Sequence, residues 1–296
     1  MQTKFNFKTF TLLLILVVNS CSSSDSEENP PQEEAPLSAE TLTNVSYGED
    51  SEQVYDIYLP ENRAATYTKV LVLIHGGSWT QGDKADMETY VSLLKSKLPD
   101  YAIANVNYKL AAPPSTTAFP DQFLDIKTII DDISSKSTEY SIMPEFGLIG
   151  TSAGAHLALQ VDYVYDDNDM VKMIASIVGP TDFTDPFYTQ NPNYALALPL
   201  LIDTSAYPEN SNFAKDASPA FQVTAKSSPT IMFYGSNDEL VPVSNGQLLQ
   251  SKLEAAGVVN DLTIYEGGHG TWSESSNIDL QTKMVDFIKT YLKIQK

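Results

Sequence analysis

Residues 148–156 read Leu-Ile-Gly-Thr-Ser-Ala-Gly-Ala-His, which places Ser152 in a Gly-x-Ser-x-Gly pattern between an apolar run and a helix-forming run. This pattern is typical of a nucleophile elbow, a sharp strand-to-helix turn that lifts a serine Oγ clear of the backbone. Gly150 and Gly154 let such a turn close, because a Cβ at either position would strike the neighbouring strand or the first helical turn. The alternative is a glycine-rich turn with an incidental serine. The residues elsewhere in the chain distinguish these two interpretations.

A second glycine-rich loop follows residues 70–74, an unbroken apolar run that predicts a parallel strand buried on both faces. This donor loop, residues 75–79, reads His-Gly-Gly-Ser-Trp. Backbone N–H groups in such a loop can stabilise the anion that forms on a carbonyl oxygen during acyl transfer. We predict the amides of Gly77, Ser78 and Ala153, the residue after the serine, as the donors of an oxyanion hole.

The chain has three histidines, so a candidate general base follows by elimination. His75 belongs to the donor loop. His156 lies one helical turn beyond Ser152, where a helical side chain points back toward packed neighbours, and we expect it to be a satisfied core residue. His269 remains, in a Glu-Gly-Gly-His-Gly loop whose glycines suit a side chain that reaches into a cleft.

A carboxylate is needed to orient His269 and to stabilise its imidazolium form. Asp238 is the first candidate, because it follows the buried-strand pattern of residues 230–234 across a Gly-Ser-Asn turn. Glu239 is the adjacent rival, with a solvated surface position as its alternative, and Asp182 is a further one. The order serine, aspartate, histidine along the chain is the order of the α/β-hydrolase arrangement.

Taken together, these residues resemble an α/β-hydrolase of the bacterial carboxylesterase type, in which a His-Gly-Gly-x-Trp loop accompanies the Gly-x-Ser-x-Gly elbow. The resemblance runs from about Tyr55 to the C-terminus. Its further matching segments are residues 82–84, 106–110, 119–122, 125–126, 179–182, 217–219, 234–238 and 241–242. Ser78 departs from the pattern at a position often held by a third glycine, and Lys109 departs at one usually held by arginine.

The resemblance implies hydrolysis of short acyl or hydroxycinnamoyl esters through an acyl-enzyme intermediate, without a cofactor or metal, and with polysaccharide esters among the candidate substrates. Two alternatives stay open. One is an amidase of the arylformamidase type, which would use the same triad. The other is a non-catalytic surface binding protein on the same fold, which the intact serine, aspartate and histidine disfavour.

The remaining pattern predicts one α/β domain over residues 41–296, with a mostly parallel central sheet, helices on both faces and a small lid region. Residues 41–59 predict an antiparallel strand pair at the N-terminal side. Further strands are predicted near residues 70–74, 102–106, 146–149, 174–178, 231–234 and 262–265. Three-four spacing of apolar residues over 123–133 predicts a helix that is capped beside Pro120 and Asp121.

Aromatic residues cluster among prolines and asparagines between residues 183 and 228, which indicates a lid or acyl-pocket segment or, alternatively, ordinary packing over the sheet. Both tryptophans lie near predicted catalytic residues, Trp79 in the donor loop and Trp272 three residues after His269. An indole can stack on a sugar or an aryl acid. We predict Trp79, Asp182 and Trp272 as residues of the substrate pocket.

Residues 1–20 carry two lysines and then a short apolar run, the pattern of an export signal. The lone cysteine follows, and residues 18–21 resemble a lipoprotein processing site that would lipidate Cys21; a free structural cysteine is the alternative. Residues 21–40 are rich in serine, proline and acidic side chains and predict a disordered tether. We expect an exported, membrane-anchored lipoprotein at the outer membrane, and the acidic run after the cysteine resembles signals for the cell surface.

The formal net charge of −20 at pH 7 disfavours nucleic acid as a partner, because its phosphates would be repelled. The sequence contains no P-loop pattern for phosphate and no Cys/His cluster with zinc spacing. The acidic run at residues 166–169 lacks the glycine and the distal glutamate of a calcium-binding EF-hand loop. We therefore predict neither a metal nor a cofactor.

Overall fold

A computed structural model describes residues 36–296, except for the side chains of residues 193 and 195. The predicted export signal, Cys21 and residues 21–35 of the predicted tether lie outside the described residues. Within residues 36–296, none of the helices combines the length and the apolar character needed to cross a membrane.

The described residues form an α/β fold around an eight-stranded sheet with the order β1-β2-β4-β3-β5-β6-β7-β8. The strands are β1 (Glu40–Ser46), β2 (Val54–Leu59), β3 (Val70–Ile74), β4 (Ala102–Val106), β5 (Phe146–Thr151), β6 (Val171–Ile177), β7 (Thr230–Gly235) and β8 (Asn260–Tyr265). β2 pairs antiparallel with both β1 and β4, and all other neighbours pair parallel. The predicted mostly parallel sheet with an antiparallel N-terminal pair is confirmed.

Helices cover both faces of this sheet. They are α1 (Glu88–Lys97), α2 (Asp121–Ser135), α3 (Ser137–Tyr140), α4 (Ala153–Gln160), α5 (Pro186–Thr189), α6 (Pro192–Ala195), α7 (Ala197–Leu201), α8 (Phe213–Asp216), α9 (Val243–Ala255) and α10 (Glu274–Tyr291). α4 continues as a π-helix over Val161–Tyr165, and 3₁₀ turns occupy Lys84–Met87, Thr204–Ala206 and Pro219–Phe221.

Helices cover the central strand β3 on both faces of the sheet. All five of its residues are therefore buried. Val70, Val72 and Ile74 belong to the apolar cluster that contains the buried faces of α2 and α9. Leu71 and Leu73 belong to the opposite cluster, which they form with α1 and α10. Burial on both faces of the sheet therefore explains the continuous apolar sequence of β3, as predicted.

Strand β6 differs from the prediction, which placed it over residues 174–178. It begins at Val171 and ends at Ile177. It stops there because Val178 has φ 49°, a left-handed conformation that is rare for a β-branched residue and cannot continue a strand. The Val178 amide instead donates to the carbonyl of Phe233 at 2.8 Å.

Helix α2 begins at Asp121, beside Pro120 as predicted, but no side chain caps its first turn by a hydrogen bond. The residue before the helix is Pro120, which has no polar side chain to accept a hydrogen bond from the first turn. Asp121 is already helical, and its carboxylate complements the positive end of the helix dipole.

Residues 183–228 form the small lid region, which contains α5 to α8 and the intervening turns. Two hydrogen bonds join the chain at the beginning of this region to the start of α9. The Oδ1 of Asn245 accepts from the amide of Thr181 at 2.7 Å. The Ser244 hydroxyl donates to the carboxylate of Asp185 at 2.5 Å. The lid is thus anchored to the helix that follows β7.

Candidate active site

Ser152 lies at the turn between β5 and α4 in a strained conformation, with φ 50° and ψ −118°. Its amide donates to the carbonyl of Ile177 on the adjacent strand β6 at 2.8 Å. A Cβ on Gly150 would lie 2.4 Å from the carbonyl of Gly154, and a Cβ on Gly154 would lie 2.2 Å from the carbonyl oxygen of Ile74. The predicted reason for both glycines is confirmed, because the helical turn and β3 leave no room for a side chain.

Three side chains that are distant in sequence meet beyond the carboxyl ends of the parallel strands. Nε2 of His269 lies 2.9 Å from Oγ of Ser152, and its Nδ1 lies 2.7 Å from Oδ2 of Asp238. Ser152 follows β5, Asp238 follows β7 and His269 follows β8. A carboxylate at Nδ1 keeps the proton on that nitrogen and leaves Nε2 as the acceptor for the serine hydroxyl. The arrangement suits a nucleophile, a general base and an orienting acid.

The Asp238 side chain is fully buried and has donors on both oxygens. Oδ1 accepts from the amides of Leu240 at 2.8 Å and Val241 at 2.9 Å, while Oδ2 faces His269. Burial acts to raise the pKa of Asp238, but the hydrogen bonds from His269 and the two amides outweigh it, so the pKa lies below its usual value. The carboxylate is therefore ionised at neutral pH.

The two rival carboxylates face elsewhere. Glu239 is exposed, and its backbone carbonyl accepts from the hydroxyl of Tyr194 at 3.3 Å. Oδ1 of Asp182 accepts from the amide and the hydroxyl of Thr184, at 2.7 and 2.6 Å. In the part of the chain that the structure describes, Asp238 is the carboxylate bonded to His269.

Contacts within the loop that carries His269 fix its conformation. Gly267 has φ 133°, a conformation that other residues rarely adopt. The indole Nε1 of Trp272 donates to the carbonyl of Gly268 at 3.1 Å. The Trp272 ring packs on Tyr265, with ring centroids 5.0 Å apart. Trp272 therefore supports the shape of this loop.

The donor loop has three successive residues with positive φ: 117° at Gly77, 52° at Ser78 and 65° at Trp79. A Cβ at Gly77 would lie 1.9 Å from the carbonyl oxygen of Gln81, so only glycine fits. The amides of Gly77, Ser78 and Ala153 are donors in none of the hydrogen bonds found within residues 36–296. Their role as donors to an oxyanion at Ser152 stays a prediction.

His75 belongs to the scaffold of the donor loop. It is buried, and its ring stacks on Tyr108 with centroids 4.4 Å apart. Burial lowers the pKa of His75, so the ring is neutral at pH 7 and Nδ1 donates to the carbonyl of Gly76 at 2.6 Å. The Tyr108 hydroxyl donates to the His75 carbonyl at 3.0 Å. These contacts hold the histidine beneath the loop.

A buried ion pair fixes the chain just after the donor loop, although the sequence reasoning did not single it out. The Lys84 ammonium pairs with Asp56 and donates to Oδ1 of Asn44 at 2.7 Å. The Lys84 amide donates to Oδ1 of Asn107 at 2.6 Å. The segment that follows the donor loop is thereby tied to β1, β2 and the residue after β4. The resembling segment at residues 82–84 is the signal that points to this pair.

Lys109 departs from the family pattern, and its ammonium group lies on the surface of the protein. Its ammonium lies 3.7 Å from the carboxylate of Asp50, and both groups are exposed. Its backbone is held inside the fold: the amide donates to Asp125 at 2.8 Å, and the carbonyl accepts from Gln122 at 2.9 Å. Lysine here changes a surface ion pair worth at most about 1 kcal/mol and leaves the backbone contacts in place.

A cavity of about 370 Å³ lies beside Ser152. The donor loop, the lid region and the chain after Asp238 form its wall. The residues that line it include Trp79, Phe183, Tyr188, Tyr194, Leu201 and Val241. No charged side chain belongs to this wall. The cavity therefore suits an uncharged, largely apolar group.

Of the three predicted pocket residues, Trp79 lines this cavity, but Asp182 and Trp272 do not. The Asp182 carboxylate is occupied by the turn at Thr184, and Trp272 is packed against Tyr265. The aromatic cluster predicted as a lid or acyl-pocket segment contributes Phe183, Tyr188 and Tyr194 to the cavity wall.

His156 is fully buried on α4, as expected. The indole Nε1 of Trp79 donates to its Nδ1 at 3.2 Å, and its Nε2 donates to the carbonyl of Ala217 at 2.7 Å. Burial lowers the pKa of His156 to about 4, although the bond to Ala217 acts to raise it. The ring is therefore neutral at pH 7 with both nitrogens satisfied.

The acidic run at residues 166–169 stabilises a turn before β6. The Asp166 carboxylate accepts from the amides of Met170 at 3.0 Å and Val171 at 2.7 Å. Across residues 36–296, no group of three or more His, Cys, Asp or Glu side chains could hold a metal ion.

A serine at a strand-to-helix elbow, followed along the chain by its acid and its base, is the arrangement found on the α/β-hydrolase fold, and it places this chain among the serine hydrolases with that fold. Comparison with protein families then identifies the group within that class. Residues 55–253 match the BD-FAE family model, which accounts for more than half of the chain. The chain belongs to the BD-FAE family.

Two curated relatives are mycobacterial. Esterase LipC of Mycobacterium tuberculosis is 23% identical over 240 residues, which cover 76% of this chain and 59% of LipC. The probable carboxylic ester hydrolase LipM of the same organism is 29% identical over 220 residues, which cover 69% of this chain and 49% of LipM. The chain thus spans about half to three fifths of the length of these relatives.

Solved structures share the fold. A truncated carbohydrate esterase from gut microbiota matches with a TM-score of 0.69 and 20% identity, over 86% of this chain and 97% of that chain. Inhibited esterase B from Lactobacillus rhamnosis matches with a TM-score of 0.68 and 20% identity, over 86% of this chain and 88% of that chain. At such identities the likeness establishes the α/β-hydrolase fold.

Proposed function

We propose that this chain is a serine esterase that hydrolyses short acyl or hydroxycinnamoyl esters through an acyl-enzyme intermediate. One observation carries the proposal: hydrogen bonds of 2.9 and 2.7 Å join Ser152 to His269 and His269 to Asp238, beside an uncharged cavity. Membership of the BD-FAE family and the esterase relatives support ester hydrolysis.

In the proposed mechanism, Nε2 of His269 takes the Ser152 proton as Oγ attacks the ester carbonyl. The amides of Gly77, Ser78 and Ala153 are the proposed donors for the resulting oxyanion. His269 gives its proton to the departing alcohol, and the acyl group stays on Ser152. His269 then removes a proton from water, which attacks the acyl carbonyl, and the proton returns to Ser152 as the acid leaves. Asp238 stays ionised and stabilises the imidazolium in both steps.

The cavity supports an uncharged acyl group next to Ser152. A volume of about 370 Å³ is sufficient for a small aryl acid. The rings of Trp79, Phe183 and Tyr188 line the wall and would pack on a planar aryl group. We infer hydroxycinnamoyl esters as the larger candidate substrates and acetyl esters as the smaller ones. The fold shared with a carbohydrate esterase makes a sugar a reasonable alcohol to test.

Ser152→Ala tests the assignment of the nucleophile. A fluorophosphonate probe should label the wild-type chain and not the variant, and turnover of p-nitrophenyl acetate should fall by roughly 10⁴-fold or more. Ser135→Ala is the matched control, because it removes the hydroxyl of an exposed serine on α2 that does not line the cavity. Labelling of Ser152→Ala at the wild-type rate would refute the proposal.

A substrate panel separates the remaining alternatives. It compares kcat/KM for p-nitrophenyl acetate, methyl ferulate, acetylated xylan and an N-formyl arylamine. The proposal expects an ester to be the best substrate, and the highest value on the formyl amide would instead identify an amidase. A wild-type chain that no fluorophosphonate labels would be a non-catalytic binding protein.

We also propose export and lipidation at Cys21, with the enzyme held at the outer membrane. The support is the sequence of residues 1–21, which combines a lysine-containing start, an apolar run and a lone cysteine. In cells fed a labelled fatty acid, the wild-type chain should carry label and fractionate with membranes. Cys21→Ser should lose both properties, and a variant that keeps the label would contradict lipidation at this residue.

A further inference from the structure

The donor loop contains two non-glycine residues in conformations that they rarely adopt. Ser78 and Trp79 have φ of 52° and 65° in succession. A left-handed backbone at a bulky residue is strained and persists only where surrounding contacts fix it. The contacts of Trp79 therefore decide whether the Ser78 amide keeps its place in the loop.

Three hydrogen bonds fix Trp79. Its carbonyl accepts from the amide of Ala111 at 2.9 Å and from Nε2 of Gln122 at 2.8 Å. Its indole Nε1 donates to Nδ1 of His156 at 3.2 Å. The first two bonds hold the backbone, and the third holds the side chain against the helix that carries the serine.

His156 lies four residues after Ser152 and is fully buried. Its Nε2 lies 2.7 Å from the carbonyl of Ala217 and must donate to it, so Nδ1 is left as the acceptor for the indole. Four aromatic rings surround it at centroid distances of 5.1 to 5.5 Å: Trp79, Phe119, Phe123 and Phe183. A hydrogen bond in such an apolar environment is stronger than the same bond in water.

We propose that His156 is a positioning residue for the oxyanion donor loop and acts through the indole of Trp79; this rests on the proposed ester hydrolysis. His156 connects the helix of Ser152, the donor loop and, through Ala217, the lid region. Without the Nδ1 acceptor, Trp79 leaves its strained conformation and the Ser78 amide moves with it. Because an oxyanion donor acts on charge that develops in the transition state, kcat falls while KM changes little.

Two conservative variants separate the two ring nitrogens. His156→Asn places an oxygen near the position of Nδ1 and keeps an acceptor for Trp79. His156→Gln places an amide near the position of Nε2 and keeps the bond to Ala217. We expect near wild-type kcat for His156→Asn and a fall of about tenfold for His156→Gln, the effect of one lost hydrogen bond. All kcat values are normalised to sites titrated with a fluorophosphonate.

Trp79→Phe gives a second route that leaves His156 intact. It removes the indole N–H and keeps an aromatic ring, so it should lower kcat by about tenfold. Adding His156→Gln to Trp79→Phe should lower kcat by less than about twofold more, because two residues that act through one bond are not additive. Leu159→Ala, equally buried on α4, is the stability control and should lower Tm without changing kcat per titrated site.

The indole N–H signals in an NMR spectrum report the bond itself. The chain has two tryptophans, so Trp79→Phe identifies the Trp79 signal. That signal should move upfield in His156→Gln and stay near its wild-type position in His156→Asn. A packing role alone would leave kcat per titrated site unchanged in His156→Gln, and this result, or full additivity with Trp79→Phe, overturns the inference. A wild-type chain without a titratable serine would instead overturn the proposed function and the inference together.

Discussion

Asp238 uses each carboxylate oxygen for a different partner. Oδ1 accepts from the amides of Leu240 and Val241, and Oδ2 faces Nδ1 of His269. Because backbone amides can only donate, the atom that faces them has to remain an acceptor. Any amide side chain at this position is therefore forced to turn its NH₂ group toward the imidazole.

Asp238→Asn should consequently lower kcat by about 10⁴-fold. The asparagine Nδ2 donates to Nδ1 of His269, so the imidazole proton moves to Nε2, which can no longer accept the proton of Ser152. The measurement is kcat for p-nitrophenyl acetate, with circular dichroism to check folding. The exposed neighbour variant Glu239→Gln should stay within about twofold. A loss below about tenfold for Asp238→Asn would show that another carboxylate orients the histidine.

Among the secondary-structure elements, the contact of α4 with β3 sets the position of the elbow. The helix approaches so closely that a Cβ on Gly154 would lie 2.2 Å from the carbonyl oxygen of Ile74 and 2.4 Å from that of His75. Both oxygens belong to backbone that is held in the centre of the sheet or in the donor loop. Neither oxygen can move away from an added Cβ without displacing the active site.

Gly154→Ala should therefore destabilise the fold by at least about 2 kcal/mol, because the added methyl group overpacks against backbone. Gly257→Ala is the matched control. Gly257 has φ 72° with open space around the Cβ position, so alanine there should lose about 1 kcal/mol from the left-handed conformation alone. Urea unfolding of both variants provides the comparison, and equal losses would contradict the crowding seen at Gly154.

Elements differed in how well the sequence predicted them, and the differences have physical causes. Buried parallel strands such as β3 are recognisable because burial on both faces leaves a continuous apolar run. The end of β6 could not be recognised from the sequence, since the left-handed φ of Val178 is imposed by its surroundings. The lid helices α5 to α8 have only four or five residues each, too few for a periodic pattern and too few to be stable without tertiary contacts.

At the scale of the whole fold, His156 and Asp162 are examples of buried groups in residues 36–296 that make stability depend on pH in opposite directions. Burial lowers the pKa of His156 to about 4, so the folded state resists a proton that the unfolded chain binds, and stability falls as pH drops from 6.5 toward 4. Burial raises the pKa of Asp162 to about 7, so the folded state keeps a proton that the unfolded chain releases, and stability falls as pH rises from 3.8 toward 7.

The hydrogen bonds around Asp162 agree with a protonated carboxyl group. The Ser228 hydroxyl lies 2.7 Å from Oδ1 of Asp162 and 2.9 Å from the carbonyl of Val171. One hydroxyl proton cannot serve both acceptors. A protonated Asp162 donates to the Ser228 oxygen, and the hydroxyl then donates to Val171.

Asp162→Asn should remove the loss of stability that accompanies deprotonation. Its Tm minus that of the wild type should become steadily more positive between pH 4 and pH 7, because asparagine keeps the shape and never ionises. Calorimetry at several pH values measures this difference. Asp167→Asn, on an exposed neighbour, should show a difference that varies little with pH. A constant difference for Asp162→Asn would mean that Asp162 is already ionised in the folded state.

Local features of the chain were sufficient for the buried strands, the serine elbow and the candidates Ser152, Asp238 and His269. Apolar runs, glycine spacing and short turns at strand ends are properties of neighbouring residues, and they are visible without coordinates. The same features could not place Asp182 or Trp272, because the direction of a loop side chain depends on what packs around it.

The three-dimensional fold was needed for everything that joins distant segments. It brings Asp238 rather than Glu239 to the histidine, builds the cavity wall from the lid, and places the indole of Trp79 against His156, 77 residues further along the chain. These outcomes depend on side-chain directions and strand order across the whole sheet. No local pattern encodes them, since each contact exists only after both partners have been positioned by the packed core.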